Sequence, residues 1–247
     1  MTGGGTDGSS TRYKMTSSGL VDGIVPVIAL PDDMRTTVAD RNAWVNRAPS
    51  TADCPSGQNT TTWAAGTHFT SGNINIDQNC VVTVAGDVWI SGNLLLSNQG
   101  SLKTAEDVSY APNILVDGSS GFQPSNNTSF QKNSAGTALE VKTFWSTAGS
   151  CVSSGTTPST CPVPTGADLL TSSNTTTIQF SNAFTAPGAS FYAVWSRVRV
   201  SNGTDVGQLI GQKVDLANSG TITFSGGSGG SGSTGNWDVT YYEQVYK

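Results

Sequence analysis

Charge is what this chain lacks most. Only 12% of its residues are Asp, Glu, Lys or Arg, about half the usual share of a soluble domain. Lysines and arginines nowhere gather into a patch, the net charge is -5 and the pI is near 4.6. Phosphate binding needs clustered basic side chains, so a nucleic-acid partner is not expected. Histidine is nearly absent too, with His68 the single one. It has no acid or serine signature beside it, which favours a surface or turn position over a general base. The sequence contains no GxSxG, P-loop, HExxH or dinucleotide glycine fingerprint, so the common hydrolytic and nucleotide chemistries lack their carriers. No apolar run is long enough to cross a bilayer, and the opening MTGGGTDGSSTRYK lacks the apolar stretch of a signal peptide. A membrane span is not expected; an exported protein would here be in mature form.

Glycine, serine, threonine and asparagine fill the space that charge leaves. From Phe69 to Lys103 the apolar residues come in short alternating groups: Ile74 and Ile76, Val82 and Val84, Val88 and Ile90, Leu94 and Leu96, then Leu102. Gly72, Asn79, Gly86, Gly92 and Gly100 punctuate them. Period-two alternation puts every second side chain on one face, and the glycines permit a bend after each short run. Strands this short are poor hairpins, whereas a chain that coils stacks each one in parallel on the strand a turn earlier. The expected fold is all-β, a parallel β-solenoid with one short N-terminal helix and long surface loops. A β-meander in a sandwich would use the same residues.

In chain order, residues 1–19 read as a flexible leader and residues 20–247 as one solenoid domain. The run LVDGIVPVIAL, with Pro26 inside, reads as extended, and Pro31-Asp32-Asp33 offers a cap for a short helix with Met34, Val38, Trp44 and Val45 on its apolar side. Residues 118–136 and 146–166 read as insertions, long loops that interrupt the coil. The grammar returns from Phe191 to Phe224, and Trp237, Val239, Tyr241 and Val245 make a last alternating strand after the Gly/Ser tract 226–235.

Cys54, Cys80, Cys151 and Cys161 are widely spaced and even in number. Tight CxxC or HxxxH pairs are missing, so two disulfides are expected in place of a metal, and no cofactor is implied. Pairing of neighbours, Cys54 with Cys80 and Cys151 with Cys161, is favoured among three connectivities. Disulfides imply an oxidising, extracytoplasmic location.

Arg197 and Arg199 alternate with Val198 and Val200, which places both arginines on one outer strand face. Tyr192 and Trp195 are close in sequence, Trp145 is a further candidate neighbour once the chain coils, and such an aromatic and basic surface suits a sugar or a protein; the same rings equally serve to cover the core under loops. Asp205 and Asp215 on consecutive rungs would offer a carboxylate pair for a glycosidase or lyase, although single acids after a glycine, Asp87 included, are commonly solvated turn residues. Asn59, Asn126, Asn127, Asn174 and Asn202 begin Asn-x-Ser/Thr triplets.

The segments GDVWISGNLLLSNQGSLK and FYAVWSRVRVSNGTDVGQLIGQKVDLANSGTITF, with Gly207 to Lys213 as a glycine-led strand, and the ending WDVTYYEQ resemble the C-terminal solenoid domains of PilX-type minor pilins and related pilus-associated proteins. The chain departs from type IV pilins in showing no long apolar helix at its start. The resemblance implies an extracellular structural or adhesive protein of a bacterial pilus or cell surface, not an enzyme, with other pilus or surface subunits and host or surface glycans as partners. A carbohydrate-active solenoid enzyme built on Asp205 and Asp215 is the alternative. An ice-binding solenoid comes third, because repeated Thr-x-Thr is not visible.

Overall fold

The computed structural model describes residues 14–15, 21–22, 43–50, 53–54, 59–145 and 175–224. Contacts divide the chain into two units, residues 1–32 with 234–247 and residues 33–233. In the first, β1 (Lys14–Met15) pairs antiparallel with β2 (Val21–Asp22).

Among the described residues the second unit is all-β, and every pairing within it is parallel. Its strands are β3 (Val45–Arg47), β4 (Thr60–Trp63), β5 (Thr67–Phe69), β6 (Ile74–Ile76), β7 (Val81–Val84), β8 (Val88–Ile90), β9 (Leu94–Leu96), β10 (Ser101–Thr104), β11 (Asn113–Val116), β12 (Phe122–Pro124), β13 (Ser129–Gln131), β14 (Glu140–Thr143), β15 (Thr176–Ser181) and the continuous β16 (Phe184–Phe224). Three columns sort these strands. Column A stacks β4, β7, β10, β13 and Thr185 of β16. Column B stacks β3, β5, β8, β11, β14 and residues 190–193 of β16. Column C stacks β6, β9, β12, β15 and residues 197–201 of β16. From β4 onward the chain visits A, B and C in strict rotation, so the sheet is a curled, solenoid-like coil.

Early turns are short: side chains that meet across them, such as Asn73 with Asn93 and Asn46 with His68, are 20 and 22 residues apart. Later turns lengthen at their corners. Residues 105–112 loop out between columns A and B, and the next turn's loop lies on them: Asn133 Nδ2 donates to the carbonyls of Ala105 (3.0 Å) and Val108 (2.8 Å), and the Ser134 amide donates to Glu106 (2.8 Å). A hydrogen bond from Lys103, aided by Ser134, holds the Glu106 carboxyl down to about 2. Residues 118–136, expected as an insertion, contain β12 and β13 and so complete a turn. Of the expected helix, residues 45–47 are strand β3 while the part before residue 43 lies outside the described residues, as do the 146–166 insertion and the strand expected at 237–246.

The interior follows from alternation. Ile74, Ile76, Val82, Val84, Val88, Ile90, Leu94, Leu96 and Leu102 are all buried inside the coil. In the later turns Phe122, Phe130, Phe180, Phe184 and Phe191 pack ring on ring, with centroids 5.1 to 6.4 Å apart. Such pairs contribute about 0.5–1.5 kcal/mol each beyond the burial of their area.

Two corners set the turn. Between columns B and C, glycine is required by proximity: a Cβ on Gly92 would sit 1.8 Å from the carbonyl oxygen of Gly72. Between C and A, successive turns use a pair of left-handed residues: Gln78-Asn79, Asn98-Gln99, Asn126-Asn127 and Asn182-Ala183. Asparagine tolerates this backbone better than most residues, and its amide can bond locally. The amides form a row. Asn98 donates to Asp77 (2.8 Å), Asn126 to Asn98 (3.4 Å), Asn182 to Asn126 (3.3 Å) and Asn202 to Asn182 (3.0 Å).

Candidate functional site: the polar groove of column C

The outer side of column C is built from the middle residue of each strand. Register aligns Asn75, Leu95, Gln123, Gln179 and Arg199, while their neighbours Ile74 and Ile76, Leu94 and Leu96, Ile178 and Phe180 turn inward. Ser97, Ser125 and Ser181 follow the strands as a second row. Together they line a groove of about 300 Å³ formed by Asn75, Leu95, Leu96, Ser97, Gln123, Ser125, Gln179 and Ser181.

The hydroxyls of Ser125 and Ser181 donate back to the carbonyls of Leu96 and Pro124, both at 3.2 Å, which leaves their oxygens able to accept. Among the described residues no partner within the chain engages the side-chain amides of Asn75, Gln123 or Gln179. Each amide offers two donors and an acceptor; Gln123 and Gln179 stand on adjacent strands, roughly 4.8 Å apart, with Leu95 between Asn75 and Gln123. At the end of the row, Arg199 has a buried Nε with no hydrogen-bond partner.

The residues singled out from sequence do not converge. Arg197 and Arg199 do share the outer side of column C. Arg197 donates through Nε to Thr176 Oγ1 (2.8 Å) and faces Asp215 at 3.6 Å. Tyr192 stands on column B instead, where its hydroxyl donates to Gln208 Oε1 (3.0 Å) and the Lys142 ammonium lies 5.3 Å from its ring centre. Burial, and then the charge of Glu140, push its phenol upward. Trp195 is a residue of β16 whose side chain is outside the description. Asp215 lies beside Arg197 on column C, whereas Asp205 comes two residues before Gly207, which lies against Gly188 at the corner between columns A and B. The two carboxylates therefore occupy different sides of the coil and do not stack. Cys54 and Cys80 form a disulfide with Cα atoms 6.1 Å apart; Cys151 and Cys161 lie outside the described residues.

Column B hides its outer side as well as its inner one. The outward row of His68, Trp89, Leu115 and Lys142 is buried, so His68 is not the surface residue expected. It stacks flat on Trp89, with centroids 3.6 Å apart and planes within 4°. Its Nδ1-H donates to Asn46 Oδ1 (2.6 Å) and its Nε2 accepts from Ser91 Oγ (2.8 Å), as in a neutral ring. Burial lowers its pKa to about 4. Trp89 Nε1 donates to Asp117 (2.6 Å), and Asp87 is fully buried, accepting from both the backbone and side chain of Asn113.

Asn75, Gln123 and Gln179 escaped the sequence reading, which gave weight to aromatic and charged residues. A usable signal was present in the triplets INI, LLL, FQP, IQF and VRV, where the central residue must point outward. Among the described residues no group of three or more His, Cys, Asp or Glu is placed to hold a metal, and no helix is long and apolar enough to cross a membrane. Comparison with family models, with curated proteins and with solved structures finds no match for the chain.

Proposed function

We propose that the chain is an extracellular display module: a parallel β-solenoid, carried on a bacterial pilus or cell surface, that binds an extended, uncharged glycan along column C without transforming it. The single observation behind this reading is the row of unengaged amides, Asn75, Gln123 and Gln179, set in one groove with serine hydroxyls. A sugar chain presents hydroxyl groups at intervals, and amides pair with them as donor and acceptor together. Leu95, half-buried between Asn75 and Gln123 in the row, offers an apolar patch for a ring face. Amides and hydroxyls do not titrate near neutral pH, so the groove suits recognition and not proton transfer. The Cys54–Cys80 bridge fits an oxidising location. The pilus assignment draws on the resemblance of the rungs to PilX-type proteins, and other pilus subunits are the corresponding partners.

The test is binding of the purified chain to a panel of immobilised neutral and charged polysaccharides, with and without Gln123→Ala and Gln179→Ala. Retention on at least one neutral polysaccharide is expected, weakened about tenfold or more in the double variant, since two lost hydrogen bonds are worth about 1–3 kcal/mol. Failure to bind any neutral glycan, or binding that ignores both substitutions, would remove the proposal.

A further inference from the structure

An amine, a carboxamide and two carboxylates meet on the outer side of column B, and the proposed function uses none of them. We propose that Lys142 and Asn113 become joined by an intramolecular isopeptide bond that fastens β11 to β14. The Lys142 ammonium donates to Asn113 Oδ1, the oxygen bonded to the carboxamide carbon, so the amine stands against the carboxamide. Glu140 Oε2 is 2.9 Å from the same nitrogen. Asp87 Oδ1 accepts from Asn113 Nδ2 at 3.0 Å and from the Asn113 backbone amide at 2.8 Å, so the carboxamide is held at its nitrogen end. Asp87, Asn113 and Lys142 are buried, as are Trp89 and Leu115 in the same outward row as Lys142. The ring of Tyr192 covers Lys142 from the next turn.

A free amide resists amines in water because the amine is protonated and encounters are brief. Here the encounter is permanent, which raises the effective concentration by orders of magnitude, and Glu140 stands beside the nitrogen to take its proton. Glu140 takes one proton from the ammonium, and the neutral Nζ adds to Cγ of Asn113. The second proton leaving Nζ passes to Nδ2, the Cγ–Nδ2 bond breaks, and ammonia departs, taking up the proton held by Glu140. One Nζ–Cγ amide bond forms, one C–N bond is lost, ammonium is the by-product and no oxidant is consumed. Both carboxylates end as they began.

The intact mass of the denatured full chain tests this directly. The expected result is a deficit of about 17 Da, the mass of ammonia, after disulfides are accounted for. Tryptic digestion should give a branched peptide joining the segments around Asn113 and Lys142, with no cleavage after Lys142. Asn113→Ala and Lys142→Arg should restore the full mass, and Glu140→Gln should slow or abolish the loss. Wild-type protein that keeps its full mass through prolonged incubation while folded, and is cleaved normally after Lys142, would overturn the proposal whatever the variants do.

Discussion

His68 shows how much one position is altered by its neighbours. Stacked on Trp89 and bonded at both ring nitrogens, it is held neutral in the folded chain, with a pKa of about 4 against an ordinary 6.5. Between those values the unfolded chain binds a proton that the folded one refuses, so stability rises with pH across this window. The contribution is complete above 6.5 and is lost as pH falls towards 4. At full extent it is on the order of 3 kcal/mol. Urea midpoints measured at pH 7.5, 5.5 and 4.5 should therefore fall with pH, and His68→Gln, which cannot titrate, should show a shallower decline over the same range.

At the scale of the element, the corner between columns C and A is the repeated part. Asn126 has φ of 53° and bonds through its amide to both Asn98 and Asn182. Asn126→Ala loses both bonds and strains the backbone, so a loss of about 1–3 kcal/mol is expected. Asn126→Gly removes the same bonds but relaxes the backbone; its smaller loss in denaturant titration would divide the effect between the two causes. This corner was written in the sequence as Ser97-Asn98, Ser125-Asn126, Ser181-Asn182 and Ser201-Asn202, yet glycine spacing drew the eye first. The inward strand residues were plain because alternation of Ile, Val and Leu leaves little choice of face. The outward ones were not. Trp89 and Leu115 alternate as solvent-facing positions should, and only the column's covered outer side explains them. Strands β12 and β13 were hidden for a different reason: the loop at 105–112 shifts the spacing of the turn, so Phe122 and Phe130 arrive out of step with the earlier rungs. The amides of column C were invisible as a site because Gln123 and Gln179 are 56 residues apart in sequence and adjacent only once the chain has coiled.

Across the whole molecule, stability is a matter of fastening one turn to the next. The Cys54–Cys80 bridge ties the chain before β4 to the buried residue just ahead of β7, closing a separation of 26 residues. A loop of that length is worth about 3 kcal/mol of restricted unfolded chain. The double variant Cys54→Ala with Cys80→Ala should lower the unfolding free energy by about that amount in guanidinium titration, while leaving the far-ultraviolet signature of strand unchanged. The amide row along the C-to-A corner adds a property that a disulfide does not have. All four of its links run the same way, each NH2 reaching toward the preceding turn, and the series stops on the carboxylate of Asp77. Small dipoles aligned head to tail thus end with their positive pole against a negative charge. The coil has a polarity of its own: an extra turn spliced in between Asn126 and Asn182 would fit without penalty if it brought another asparagine, whereas one placed ahead of Asp77 would meet a terminus already neutralised.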